Sequence, residues 1–167
     1  MTAEPVIIVP YDPAWPVIFD ALRRRIEAAL GPIATAVEHV GSTSVPGLAA
    51  KPIIDIDAVI ADDTALPAAI ARLSAIGYAD QGEKGVAGRR AFAPPPGLAR
   101  HHLYVCASDS AELRRHLLFR DRLRANPDLA AAYGALKQRL AAEYGRDREG
   151  YTEAKTGFIE NALAGVV

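Results

Sequence analysis

Two aspartates set into the most strand-like segment constrain this chain more than anything else. Pro52 to Ile60 carries Ile53, Ile54, Ile56, Val59 and Ile60 around Asp55 and Asp57. Side chains alternate faces along a strand, so Ile54 and Ile56 point one way and the two carboxylates the other. Neighbouring carboxylates on one face repel, and partial burial raises the pKa of one of them. A strand with such a pair compensates with a cation: Lys51, an arginine or a divalent metal. A D-x-D pair alone reads as a solvated strand end, so the residues ahead of it carry the weight.

Those residues are Val40-Gly41-Ser42-Thr43-Ser44-Val45-Pro46-Gly47-Leu48-Ala49-Ala50-Lys51. Ile33 to Val40 reads as a strand running into a Gly-Ser turn. Glycine lets backbone approach a phosphate closely, and amides opening a helical turn point at an anion. Ser42 and Ser44 add hydroxyl donors, and Lys51 adds local positive charge. The loop lacks G-x-x-x-x-G-K-[ST], so a P-loop kinase is not indicated.

The rest of the chain supplies the frame. Val6 to Val9 predicts an edge strand or extended arm, closed by Pro10 and Pro13. Asp12 precedes a helix whose apolar residues recur at three and four from Trp15 to Leu30, with Gly31 as its stop. Further helices are expected at Thr64–Ile76, Ser110–Ala125, Pro127–Tyr144 and about Glu149–Leu163, the last capped near Asp147. Strands are expected at Arg89–Ala93 and His101–Cys106. The fold class is therefore α/β (α+β): a mixed sheet of about five strands flanked by helices, then a helical C-terminal third. With no flexible linker, 1–167 reads as a single domain, with 1–108 the sheet part and 109–167 packed on it.

Composition limits the partners. The 167 residues hold 19 basic and 20 acidic side chains, a net charge of −1. A surface that coats nucleic acid or an anionic membrane is excluded, so any anion site is local. The single cysteine, Cys106, excludes a disulfide framework. No apolar run reaches the ~18–20 residues of a membrane helix, and no signal peptide is visible. A soluble, cytoplasmic protein is expected, with nucleic acid not among its partners.

Hydrophobic-Gly-Ser, twelve residues (Thr43 to Ile54), then Asp-hydrophobic-Asp resembles the signature of the DNA-polymerase-beta-like nucleotidyltransferase superfamily. Across nearly its whole length the chain is similar to the GrpB family. The matching features are Glu38–Asp57, Tyr11-Asp12-Pro13-Ala14-Trp15-Pro16, His101-His102-Leu103-Tyr104-Val105, and Phe119-Arg120-Asp121-Arg122-Leu123-Arg124 with Tyr133, Lys137, Tyr151 and Lys155. The resemblance implies a nucleotidyltransferase-like fold, Mg²⁺ held by Asp55 and Asp57, and nucleotide phosphates at the Gly-Ser turn. It also implies that family members occur alone or fused to dephospho-CoA kinase. It does not carry a substrate.

The chain departs from the superfamily pattern where a third carboxylate belongs. The strand that should supply it offers His101, His102 and Tyr104. His102 then becomes the third catalytic candidate, as general base or metal ligand. Glu38 is a candidate to orient Lys51 or an arginine. Expected nucleotide contacts are Gly41, Ser42, Thr43, Ser44, Lys51, Arg90, Arg120, Lys137 and Lys155. Three activities compete: Mg²⁺-dependent transfer of a nucleotidyl group from a nucleoside triphosphate to an unspecified small-molecule acceptor; a non-catalytic nucleotide- or CoA-related binding module; and metal-dependent hydrolysis of a phosphorylated small molecule.

Overall fold

The computed structural model describes residues 3–165. Helix α1 (Ala14–Leu30) buries Trp15, Leu22, Ile26 and Leu30, a stripe at helical spacing. Asp12 caps its start, the carboxylate accepting from the Ala14 N–H at 2.8 Å. Strands β1 (Ala34–Val40) and β2 (Ile54–Ile60) follow, separated by a single 3-10 turn at Ser42–Ser44. Then come α2 (Leu66–Ala75), β3 (Ala79–Asp80), β4 (Arg90–Ala93) and β5 (His101–Ala107).

Among the described residues the sheet has five strands in the order β1-β2-β5-β4-β3. β2 and β5 run parallel, and the other pairs are antiparallel. The strand count matches the expectation, but its membership differs. Val6–Val9 is an arm joined to Ala50 by one bridge at Val9. The fifth strand is instead the short Ala79–Asp80 pair, whose alanine and aspartate carry no strand signal.

The two faces of the sheet divide the labour. On the first, α1 and α2 pack on Val37, Ile54, Ile56, Ala58, Leu103 and Val105 to make the main core. On the second, β2 presents Asp55, Asp57 and Val59, and β5 presents His102, Tyr104 and Cys106. Helix α3 (Ala111–Ala125) covers the apolar end of that face, through Leu113 and Leu117 on Val59 and Cys106, and reaches Asp57 through His116. The end with Asp55 faces the remaining helices: α4 (Pro127–Tyr144), α5 (Arg148–Ala154) and α6 (Thr156–Ala164).

Helices α3 and α4 are capped by Ser110 and Asn126. Asp147 caps α5, accepting from the Gly150 N–H. One long terminal helix was expected; it breaks at Lys155 into α5 and α6. No helix among the described residues is long and apolar enough to cross a membrane.

Candidate active site

The parallel register sets Asp55 opposite His102 and Asp57 opposite Tyr104. His102 Nδ1 lies 2.9 Å from Asp55 Oδ1. Gly41 explains how the turn reaches this carboxylate. Its φ is +73°, and a Cβ placed there would fall 2.3 Å from Asp55 Oδ2. Only glycine allows both the backbone angle and the contact.

Asp57 is 0% exposed. Its Oδ2 accepts from His116 Nδ1 of α3 at 2.6 Å, and His116 Nε2 stands 3.0 Å from Glu112 one turn earlier. Burial alone would depress His116; the hydrogen bond and charge of Asp57, with Glu112 behind, hold it above the ordinary histidine value. Asp57 Oδ1 is buried without a hydrogen-bond partner. The sequence alone assigned His116 no role at the site. The Glu112–His116 spacing of four was the available signal.

Around Asp55 the turn, β2 and the C-terminal helices enclose a cavity of about 260 Å³. Gly41, Ser42, Thr43, Lys51, Asp55, His102, Lys137 and Lys155 all line it. Two tyrosines organise the lysines. Tyr151, buried, has Lys51 and Lys155 over its ring at 5.1 and 4.4 Å, and Tyr133 has Lys137 at 4.8 Å. Lys137 is only 2% exposed and donates to the Ala49 carbonyl. Burial, then the charges of Lys155 and Lys51, pushes Lys137 down to about 7. Burial and then Lys51 pushes Lys155 down to about 8, and burial lowers Lys51 as well. Crowded, desolvated ammonium groups of this kind are what an incoming polyanion would relieve.

Other side chains expected as contacts are engaged by the protein itself. The Ser44 hydroxyl donates to the Gly41 carbonyl and so closes the turn. The Thr43 hydroxyl shares a 2.9 Å hydrogen bond with His39 Nε2, while His39 stacks on Phe19. Burial pushes His39 down to about 4. These two hydroxyls hold the turn in shape, while Ser42 lines the cavity and hydrogen-bonds Tyr133.

Arg120 is not at the cavity: it pairs with Glu38 at 2.7 Å and with the His39 carbonyl at 3.1 Å, tying α3 to β1. Glu38 thus orients an arginine, not Lys51. Arg90 is also displaced. It opposes Val105, whose side chain belongs to the α1–α2 core, and its guanidinium is held by Asp80 at 2.7 Å. Its neighbour Arg89 takes the carboxylate face instead, 4.1 Å over the Tyr104 ring, with Nε buried and unpartnered. Strand register decides between the two arginines, and register is a property of the sheet.

The donor set can be tested against a divalent cation. Asp55 and Asp57 lie two apart on one face, and Asp57 Oδ1 is an orphaned acceptor. Oxygen donors of this type suit Mg²⁺, which commonly takes one or two carboxylates and completes its shell with phosphate and water. Among the described residues no group of three or more His, Cys, Asp or Glu side chains is arranged to hold a metal ion. The two carboxylates fit a cation that completes its shell from outside the protein better than a preassembled metal cage.

Comparison with known proteins agrees with this arrangement at the level of fold. A structure of the Cid1 poly(U) polymerase with MgGTP bound superimposes with a TM-score of 0.56 at 17% identity, over 81% of this chain and 44% of that one. The fold is nucleotidyltransferase-like. The GrpB family, described as "GrpB protein", matches residues 5–164, and the chain belongs to it. The crystal structure of GrpB from Enterococcus faecalis aligns with a TM-score of 0.83 at 36% identity, covering 96% of each chain. The UPF0157 protein YqkA of Bacillus subtilis is 38% identical over 157 residues, which is 94% of this chain. The chain spans about half the length of YqkA, 46%. A dephospho-CoA kinase of Mycolicibacterium paratuberculosis is 29% identical over 95% of this chain, again covering less than half of the relative, 45%.

Proposed function

We propose that the chain transfers a nucleotidyl group from a nucleoside triphosphate to the hydroxyl of a small-molecule acceptor, with Mg²⁺ as cofactor. The observation that carries this reading is the single cavity in which Lys51, Lys137 and Lys155 face the Gly41–Ser42 turn and Asp55. The lysines and Ser42 receive the β- and γ-phosphates. Mg²⁺, held by Asp55 and Asp57, supplies charge neutralisation of the phosphates when bound.

In the transfer the acceptor oxygen bonds to the α-phosphorus, the α–β bridging P–O bond breaks, and pyrophosphate leaves. The acceptor proton passes to His102, which Asp55 orients through the 2.9 Å contact. Positioning and charge stabilisation provide most of the rate.

Isothermal calorimetry with each of the four nucleoside triphosphates tests the reading. At least one binds in a Mg²⁺-dependent manner, and Asp55→Asn abolishes the Mg²⁺ dependence. Absence of binding for all four overturns it. Two observations favour a second reading, a nucleotide- or CoA-related binding module without turnover: Asp57 Oδ2 is already held by His116, and β5 brings no third carboxylate. Pyrophosphate release in the presence of any acceptor excludes that alternative.

A further inference from the structure

Each aspartate of the pair gives one oxygen to a histidine. Asp55 meets His102 through Oδ1 and turns Oδ2 toward Gly41. Asp57 meets His116 through Oδ2, and its Oδ1 is buried with no hydrogen-bond partner. The two histidines are held differently. His102 stands exposed at the cavity. His116 is clamped on both ring nitrogens, with Nδ1 2.6 Å from Asp57 and Nε2 3.0 Å from Glu112. A ring with a carboxylate on each nitrogen cannot flip or swing without losing a charged partner.

Helix α3 makes this clamp rigid. Glu112 and His116 are four residues apart, so they share one face of the helix. Leu113 and Leu117 pack beside them on Val59 and Cys106. One turn beyond His116, Arg120 ties the same helix to Glu38 of β1. The ring is therefore carried by a helix fastened to the sheet on both sides of it. A pair kept for stability alone would satisfy both oxygens of a buried carboxylate, because a buried acceptor without a partner is costly. Here one oxygen is satisfied and the other is bare. Apolar residues of similar volume often replace a buried ion pair with no loss of stability, so stability does not explain why charges stand here.

We propose that Glu112 and His116 are positioning residues for the divalent cation: Glu112 fixes the His116 ring, and the ring takes Oδ2 of Asp57 so that Oδ1 is kept as the ligand oxygen. The inference rests on the reading in which Asp55 and Asp57 hold that cation. Carboxylates that ligate a metal are commonly held by hydrogen bonds of this kind, and loss of the holding group weakens the metal by about 10- to 100-fold. Neither Glu112 nor His116 touches the nucleotide or the acceptor in this role. Both act through Asp57.

The test titrates Mn²⁺ into the full chain, with and without a non-hydrolysable ATP analogue, and follows loss of the free-ion EPR signal. His116→Leu weakens Mn²⁺ by about tenfold or more. His116→Asn keeps a donor where Nδ1 stood and returns the affinity to within about threefold of the unaltered chain. Glu112→Leu leaves the Asp57–His116 pair in place, so it reads the site even if His116→Leu misfolds; it weakens Mn²⁺ by about threefold or more. Asp121, exposed and paired with Arg120, is the control on the same helix. Asp121→Asn removes one carboxylate charge and leaves the affinity within about twofold.

Unchanged Mn²⁺ affinity in folded His116→Leu or in Glu112→Leu, whatever the urea midpoint does, makes the pair a structural tie and overturns the inference. Weakening that His116→Asn does not relieve overturns it as well. So does tighter Mn²⁺ in His116→Leu, because the histidine then competes with the cation for Asp57. If Mn²⁺ binds the unaltered chain under neither condition, the cation reading and this inference fall together. If Mn²⁺ binds and Asp55→Asn weakens it while the Glu112 and His116 variants do not, the positioning role falls alone.

Discussion

His116 of α3 holds Asp57 of β2 at 2.6 Å, an ion pair spanning 59 residues of sequence with Asp57 fully buried. Two histidines therefore serve the two carboxylates: His102 on Asp55 at the open cavity, and His116 on Asp57 beneath α3. The first carboxylate lines the cavity. The second is neutralised by the fold on one oxygen and left free on the other.

Removing His116 strands a buried carboxylate. His116→Ala should cost about 2–4 kcal/mol of stability, read from the urea midpoint. The double variant Asp57→Ala/His116→Ala should cost clearly less than the two single changes added together, because each single change leaves an uncompensated partner. Strict additivity would show that the contact contributes nothing.

Two histidines shape stability against pH in opposite directions. His39 is depressed to about 4 from an ordinary value of 6.5. Its contribution is complete above about pH 6.5 and is lost as pH falls through 4, at most about 3 kcal/mol. His116 is raised, so its contribution is complete below about pH 6.5 and is lost as pH climbs through its folded value. Stability from this pair therefore peaks in the mildly acidic range. His39→Gln should flatten the acid limb only and His116→Gln the alkaline limb only, in denaturant titrations across pH 4–9.

The lysine cavity should take up protons with its ligand. Lys137 at about 7 and Lys155 at about 8 are partly neutral at pH 8, and a bound polyanion restores their charge. Calorimetry at pH 8 in buffers of differing ionisation enthalpy should show net proton uptake with Mg²⁺ and nucleotide, and affinity should fall as pH rises from 7 to 9. Lys137→Met should remove most of that uptake. Proton release would contradict the assignment.

Gly41→Ala should fail on two counts. The φ of +73° strains any side chain, and the new Cβ would meet Asp55 Oδ2 at 2.3 Å. We expect a stability loss of about 1–3 kcal/mol together with loss of Mg²⁺-dependent nucleotide binding. Gly47→Ala, also at positive φ but with nothing within 4 Å of the new Cβ, should show the backbone cost alone.

Arg120→Ala separates holding the fold from binding ligand. Its ion pair with Glu38 joins α3 to β1 away from the cavity. The change should cost about 1–2 kcal/mol and leave nucleotide affinity within about twofold, whereas Lys155→Ala should do the reverse.

Local chemistry was legible from the residues. Proline and glycine positions bounded α1 and α4, alternation put Asp55 and Asp57 on the face opposite Ile54 and Ile56, and the Gly-Ser pair marked the turn that meets Asp55. The short strand β3 was not legible because two residues without strand propensity pair only when β4 is already in place. The break at Lys155 escaped for a similar reason: the helical periodicity runs on through it, and the change of direction belongs to packing, with Tyr151 and Ala162 buried in separate clusters.

What the sequence determined by itself is a carboxylate pair on one strand face behind a glycine turn, and the family that carries it. Which cations meet those carboxylates was decided only in three dimensions. Arg89 and not Arg90 takes the carboxylate face of the sheet, His116 and not Arg120 neutralises an aspartate, and Lys137 is driven to the edge of titration, because strand register, helix packing and desolvation act between residues far apart in the chain.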